Sequence, residues 1–143
     1  MYAPCRSHRP ADRAIHGPDE AIHALRLATD DGRLDATVVA CVDAARQPLT
    51  MFIFEGPRPA DDVELALDAL LGAAAQTDSL LAGVFVGLSR GEGEPGPTPQ
   101  DEERWLRMSD ACADAGIELL DWFVLTDGTA CSVAEGLRPG PGW

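Results

Sequence analysis

The sequence predicts an α/β fold, a mixed β-sheet flanked by helices. Three observations predict it. Leu80 to Leu88 is apolar or glycine until Ser89, the pattern of a central strand buried on both faces. Two stretches, from Asp62 and from Thr98, repeat apolar residues at helical spacing on either side of it. Ala36 to Phe54 reads as two short apolar strands around a turn, an antiparallel hairpin.

Each element has a local reason. Residues 1–17 are rich in Pro, Arg and His and show no periodicity, so they read as a flexible arm. Pro18 to Thr29 opens the first helix. Pro18 suits an early helical position, Asp19 and Glu20 suit the positive end of the helix dipole, and Ala21, Ile22, Leu25 and Ala28 form its apolar face. Asp30-Asp31-Gly32 ends it. Ala36 to Asp43 and Leu49 to Phe54 are the hairpin strands, with Ala44 to Pro48 as the turn and Gly56-Pro57-Arg58-Pro59 as a rigid loop. Asp61 or Asp62 caps the second helix, in which Val63, Ala66, Leu67, Leu70, Leu71 and Ala74 share one face. After the central strand, Arg90 to Pro97 is a Gly/Pro/Glu loop.

The third helix carries the fullest start signal. Thr98 at the N-cap, Pro99 at the first helical position and Asp101 three residues after the cap form a capping signature. Trp105, Met108, Cys112 and Ala115 follow at helical spacing, and Gly116 stops the helix. Ile117 to Leu125 is a mostly buried strand. Asp127-Gly128 is a hairpin turn, and Thr129 to Val133 returns as the last strand. The whole is a single domain over residues 18–136, followed by a Pro/Gly-rich tail over 137–143 ending in Trp143.

Composition bounds the function. The net charge is −13, and all eleven basic residues are Arg. The arm holds three Arg and one Asp, so the body is more acidic than the whole. Such a body repels phosphate backbones, which disfavours nucleic acid as a partner. No apolar run is long enough for a membrane span and the N-terminus has no signal-like apolar region, so a cytoplasmic location is expected. Of Cys5, Cys41, Cys112 and Cys131, none forms a Cys-x-x-Cys pair, and the last three are expected to pack as small hydrophobes. Trp105 and Trp122 are expected in the core.

Several motifs resemble a known family. Pro97-Thr98-Pro99, the helix after it, Gly116-Ile117-Glu118-Leu119-Leu120-Asp121 and the Asp127-Gly128 turn resemble the C-terminal half of the RadC-like JAB/MPN domain. The resemblance implies its cytidine deaminase-like architecture, and the element order read above is compatible with that. It also implies where a site would be. In the family, two histidines at the end of the central strand and an Asp in the next helix hold zinc, with a bound water as the fourth ligand and a separate Glu as base. Here Trp122 stands where the family has His, Gln100 where it has Ser, and Glu103 where it has the metal-binding Asp.

The zinc ligands are missing. The central strand ends Leu88-Ser89-Arg90 without histidine, and His8, His16 and His23 all lie in the arm or the first helix. The expectation is therefore a non-catalytic, metal-free domain, without a cofactor, that docks an unknown protein partner, self-associates or regulates. Its vestigial-pocket candidates are Ser89, Arg90, Glu92 and Glu103, with an Arg90–Glu103 salt bridge filling the vacated space. The alternative is a hydrolase or DNA-repair-associated enzyme with a pocket rebuilt around Ser89, Arg90 and Glu103. Other chemistry is weaker. Gly87-Leu88-Ser89-Arg90-Gly91 matches the esterase elbow, but no histidine follows Ser89. Glu92, Glu94 and Glu103 offer oxygens to a hard cation without a recognised spacing. Gly91, Gly93 and Gly96 suggest a phosphate loop, but glutamates line it and lysine is absent.

Overall fold

The computed structural model describes residues 14–30, 35–55, 61–76, 80–90, 97–137 and 140–143. The elements run α1 (Pro18–Ala28), β1 (Asp35–Val42), β2 (Pro48–Glu55), α2 (Asp61–Gln76), β3 (Gly83–Arg90), α3 (Pro99–Asp114), β4 (Glu118–Thr126) and β5 (Thr129–Ser132). They build one five-stranded mixed sheet in the order β2-β1-β3-β4-β5. β1 is antiparallel to β2 and β3, β3 is parallel to β4, and β4 is antiparallel to β5. Cys5, His8, the Gly56 to Pro59 loop, Glu92, Glu94 and the glycines of that loop lie outside the described residues.

β3 is the middle strand, as its apolar run predicts, and every residue from Gly83 to Ser89 is buried. The strand starts three residues later than expected: Leu80 is exposed, and β3 ends at Arg90. Its limits follow its partner β1, since Gly83 faces Val42 and Arg90 faces Asp35.

Alternation along the strands divides the core in two. Val39, Cys41, Val84, Val86, Leu88, Leu119, Trp122 and Val124 face α2 and α3, where they meet Val63, Leu67, Leu71, Trp105, Met108 and Cys112. Ala36, Val38, Ala40, Val42, Phe85, Phe123 and Leu125 face the other way, toward Ala21 and Leu25 of α1. α1 seats closely because β3 offers glycine at Gly87, where a Cβ would come within 2.7 Å of Leu25 Cδ2. Residues 14–17 are the described part of the expected arm. There Ile15 is buried, and its N–H donates to the Arg46 carbonyl at 2.8 Å.

The turns follow the expected chemistry. Gly116 and Gly128 both take positive φ, at 76° and 87°, which glycine adopts without a Cβ penalty. Cys41 and Cys112 are buried as small hydrophobes, and burial pushes their thiols up to about 12 and about 11, Cys112 with help from the Asp68 charge. Cys131 on β5 is half-buried. No helix among the described residues is long and apolar enough to cross a membrane.

Candidate functional site

The end of β3 meets the start of α3, and a buried ion pair joins them. Asp101 is fully buried at the third position of α3. Its place there comes from the capping box. The Asp101 N–H donates to Thr98 Oγ1 at 3.3 Å, and Asp101 Oδ2 accepts the Thr98 N–H at 2.8 Å and its hydroxyl at 3.0 Å. Two of the donors that a helix start leaves without partners are satisfied this way. Arg90, the last residue of β3, adds charge: its Nη2 donates to both carboxylate oxygens, at 2.8 and 2.7 Å. The Arg90 side chain is 26% exposed, and that of Asp101 is 0% exposed. A carboxylate so buried needs both hydrogen bonds and a countercharge, and here it has them.

The expected Arg90–Glu103 pair is thus replaced by Arg90–Asp101. The reason is helical phase. Asp101, Trp105, Met108 and Cys112 form the buried stripe of α3. Glu103 lies two residues from Asp101, about 200° around the helix, and is exposed.

Ser89 and Arg90 also part company, because successive strand residues point to opposite faces. Arg90 points toward α3. Ser89 faces Ala36 and Leu125, both on the α1 side. The Ser89 hydroxyl is buried and finds no hydrogen-bond partner among the described residues. Ser89, Arg90 and Glu103 therefore do not share one cleft. Glu92, the fourth candidate, lies outside the described residues. Among the described residues, no three His, Cys, Asp or Glu side chains form a group that would hold a metal. Among the described residues of the β3–α3 junction, the carboxylate turned inward is that of Asp101, and it already has a guanidinium on it.

A second polar cluster was not foreseen from the sequence. Between Val84 and Phe85 the pairing of β3 with β4 slips by one residue, so that Leu120 is inserted as a bulge. The slip turns Asp121 toward Phe85, on the α1 side. There Asp121 Oδ1 accepts from the Trp122 N–H at 2.8 Å and the Ser132 hydroxyl at 2.7 Å, and Oδ2 accepts from Trp143 Nε1 at 3.1 Å. Asp121 is fully buried, and no cation pairs with it among the described residues. Burial raises its pKa, and hydrogen bonds from Ser132, Trp143 and the backbone of Trp122 and Ala134 oppose that rise.

This shift sets a pH dependence. The native carboxyl titrates above its unfolded value of about 3.9, so between the two values the native state holds more proton than the unfolded one. The contribution of Asp121 to stability is then full below the unfolded value and is lost as pH rises through the native one. Urea unfolding of the wild type and of Asp121→Asn across acid to neutral pH checks this. The stability of the wild type relative to the variant is expected to fall with rising pH, and a flat or rising difference would contradict it.

No family model matches the sequence, and no curated protein matches it.

Proposed function

We propose that this chain is a metal-free, non-catalytic domain of the RadC-like JAB/MPN type, with that class's deaminase-like architecture, and that it works by docking a protein partner. The observation that carries the reading is the Arg90–Asp101 pair. In the class the chain resembles, the end of the central strand and the start of the next helix hold a cation between them. In this chain the same junction is joined by a guanidinium and a buried carboxylate, 2.7 Å apart. A charged side chain takes over the electrostatic work of the ion and leaves no open coordination position for a water.

The surrounding residues support the same reading. The order helix, hairpin, helix, strand, helix, strand, strand is compatible with the architecture the resemblance implies. Pro97-Thr98-Pro99 enters α3, and Gly116 to Asp121 leads into β4. The net charge of −13 favours a protein partner over nucleic acid.

Metal content tests the proposal. The purified protein is expected to carry no stoichiometric zinc by elemental analysis, and its Tm is expected to be unchanged by a chelator. One zinc per chain, with a Tm that drops on chelation, would overturn it.

A further inference from the structure

Residues 140–143 cross the α1 side of β4, and their attachment there is specific. The bulge takes Leu120 out of the sheet ladder, and the Gly142 N–H donates to its carbonyl at 2.8 Å. Arg46 Nη2 donates to the Gly142 carbonyl at 3.3 Å. Trp143 Nε1 donates to Asp121 Oδ2, and the indole lies against Phe85 with ring centroids 5.5 Å apart.

Seat and segment are built differently. Phe85, Leu120 and Asp121 are fully buried and belong to the two central parallel strands. Gly140 and Pro141 are exposed, and Gly142 and Trp143 are half-buried. The segment thus invests one side chain, on a seat the sheet has already formed. The seat also holds a group that packing alone does not call for. A tryptophan ring can be covered by apolar residues at no electrostatic cost, whereas a buried carboxylate without a countercharge is costly. The body of the protein engages Oδ1 through Trp122 and Ser132, the Ala134 backbone also hydrogen-bonds the carboxylate, and Oδ2 is turned to the indole. An oxygen aimed at an N–H beside an aromatic face selects for an indole over a ring with no donor, because the latter removes one of the hydrogen bonds that hold the buried carboxyl group.

We propose that the seat formed by Phe85, Leu120, Asp121 and Ser132 is a recognition site for a glycine–tryptophan segment presented by a partner protein, and that residues 140–143 occupy it as a displaceable strap. The inference rests on the reading of the chain as a docking domain, but it concerns another part of the sheet than the β3–α3 junction. The strap keeps the seat closed by its proximity: a short tether holds Trp143 at a millimolar effective concentration, against which a partner must compete.

The test uses the full chain with Trp143→Ala, titrated with the blocked dipeptide N-acetyl-glycyl-tryptophan amide and observed by NMR. The variant is expected to bind the dipeptide saturably and at least tenfold more tightly than the wild type does. The phenylalanine dipeptide is expected to bind at least tenfold more weakly. Adding Asp121→Asn should abolish binding, since the two donors on Oδ1 hold the amide oxygen there and turn the amide N–H toward the indole. A folded Trp143→Ala chain that fails to bind, or whose binding ignores Asp121→Asn, would overturn the proposal. If Trp143→Ala does not fold, Trp143→Phe retains a ring against Phe85 and removes the N–H. It is expected to bind the tryptophan dipeptide more tightly than the wild type, and equal weak binding by both would overturn the proposal. Sedimentation of the wild type addresses the source: a monomer supports a separate partner, whereas a dimer that Trp143→Ala abolishes would replace the partner with a second copy. Zinc in the protein would sink the reading of the junction without altering these titrations, and absent dipeptide binding would leave that reading intact.

Discussion

Asp101→Ala is expected to destabilise the protein by about 2–4 kcal/mol, far more than a surface substitution at a helix start. Two losses combine. The capping box disappears, leaving the Thr98 N–H without its acceptor, which costs on the order of 1 kcal/mol. The charge-assisted bonds from Arg90 also go, worth roughly 1.5–3 kcal/mol. Arg90→Ala leaves the opposite problem, a carboxylate at 0% exposure without its cation. Its cost should fall somewhat below the ~3–5 kcal/mol typical of breaking a fully buried pair, because water reaches the guanidinium side. Urea unfolding of both single variants and the double variant closes a thermodynamic cycle. A coupling energy of about 1–3 kcal/mol is expected for side chains in direct contact. Additive effects would mean that the two charges do not stabilise each other and would remove the main support for the proposed vacated site.

The largest stability loss is expected at Trp105→Ala, about 3–5 kcal/mol. Trp105 is completely buried on the inward stripe of α3, in the same core as Met108, Cys112 and Trp122. Removing the indole gives up its burial and leaves a cavity that the sheet below and the helices around it can only partly close. Leu106 is the internal control. It is the next residue in the chain, points outward and is 39% exposed, so Leu106→Ala should cost less than about 1 kcal/mol. Chemical denaturation of the two variants side by side makes the comparison. Similar losses at both positions would show that the rotation of α3 assigned here is wrong, and with it the reason that Asp101, not Glu103, faces Arg90.

The same rotation shows how far the site was legible. The capping signature at Thr98 and Asp101 correctly announced the helix start, because a cap is made by residues three apart. The family's pattern points to Glu103 because it names a position in a motif, whereas the helix period decides which position faces inward. The stripe Trp105, Met108, Cys112 already implied Asp101 when extended backward by one turn. The divergence of Ser89 and Arg90 was legible in principle from strand alternation, once both belong to the strand. The apolar run from Leu80 starts β3 too early and leaves Arg90 in a loop, where alternation does not apply.

Asp121 and Trp143 carried weaker signals. A lone Asp between Leu120 and Trp122 reads as an interruption of a buried strand, and its orientation depends on a bulge. Nothing local marks a bulge at Leu120, since it arises from how β4 fits β3, a strand that ends 28 residues earlier at Arg90. Trp143, beyond a Pro/Gly stretch, gave no sign that Phe85 would be its neighbour.

What the chain alone specified was whatever its near neighbours control: helix starts and stops, the glycines of positive φ, the apolar faces, the buried middle strand and the absence of histidine from its end. These follow from backbone geometry and periodicity over a few residues. The strand limits, the choice of Asp101 as the partner of Arg90, the bulge that turns Asp121 inward and the seat for Trp143 were decided by pairing between distant segments. Register across a sheet and the rotation of a helix upon it are settled only when all the buried surfaces are packed together, because a slip of one residue reverses which side chain is inside.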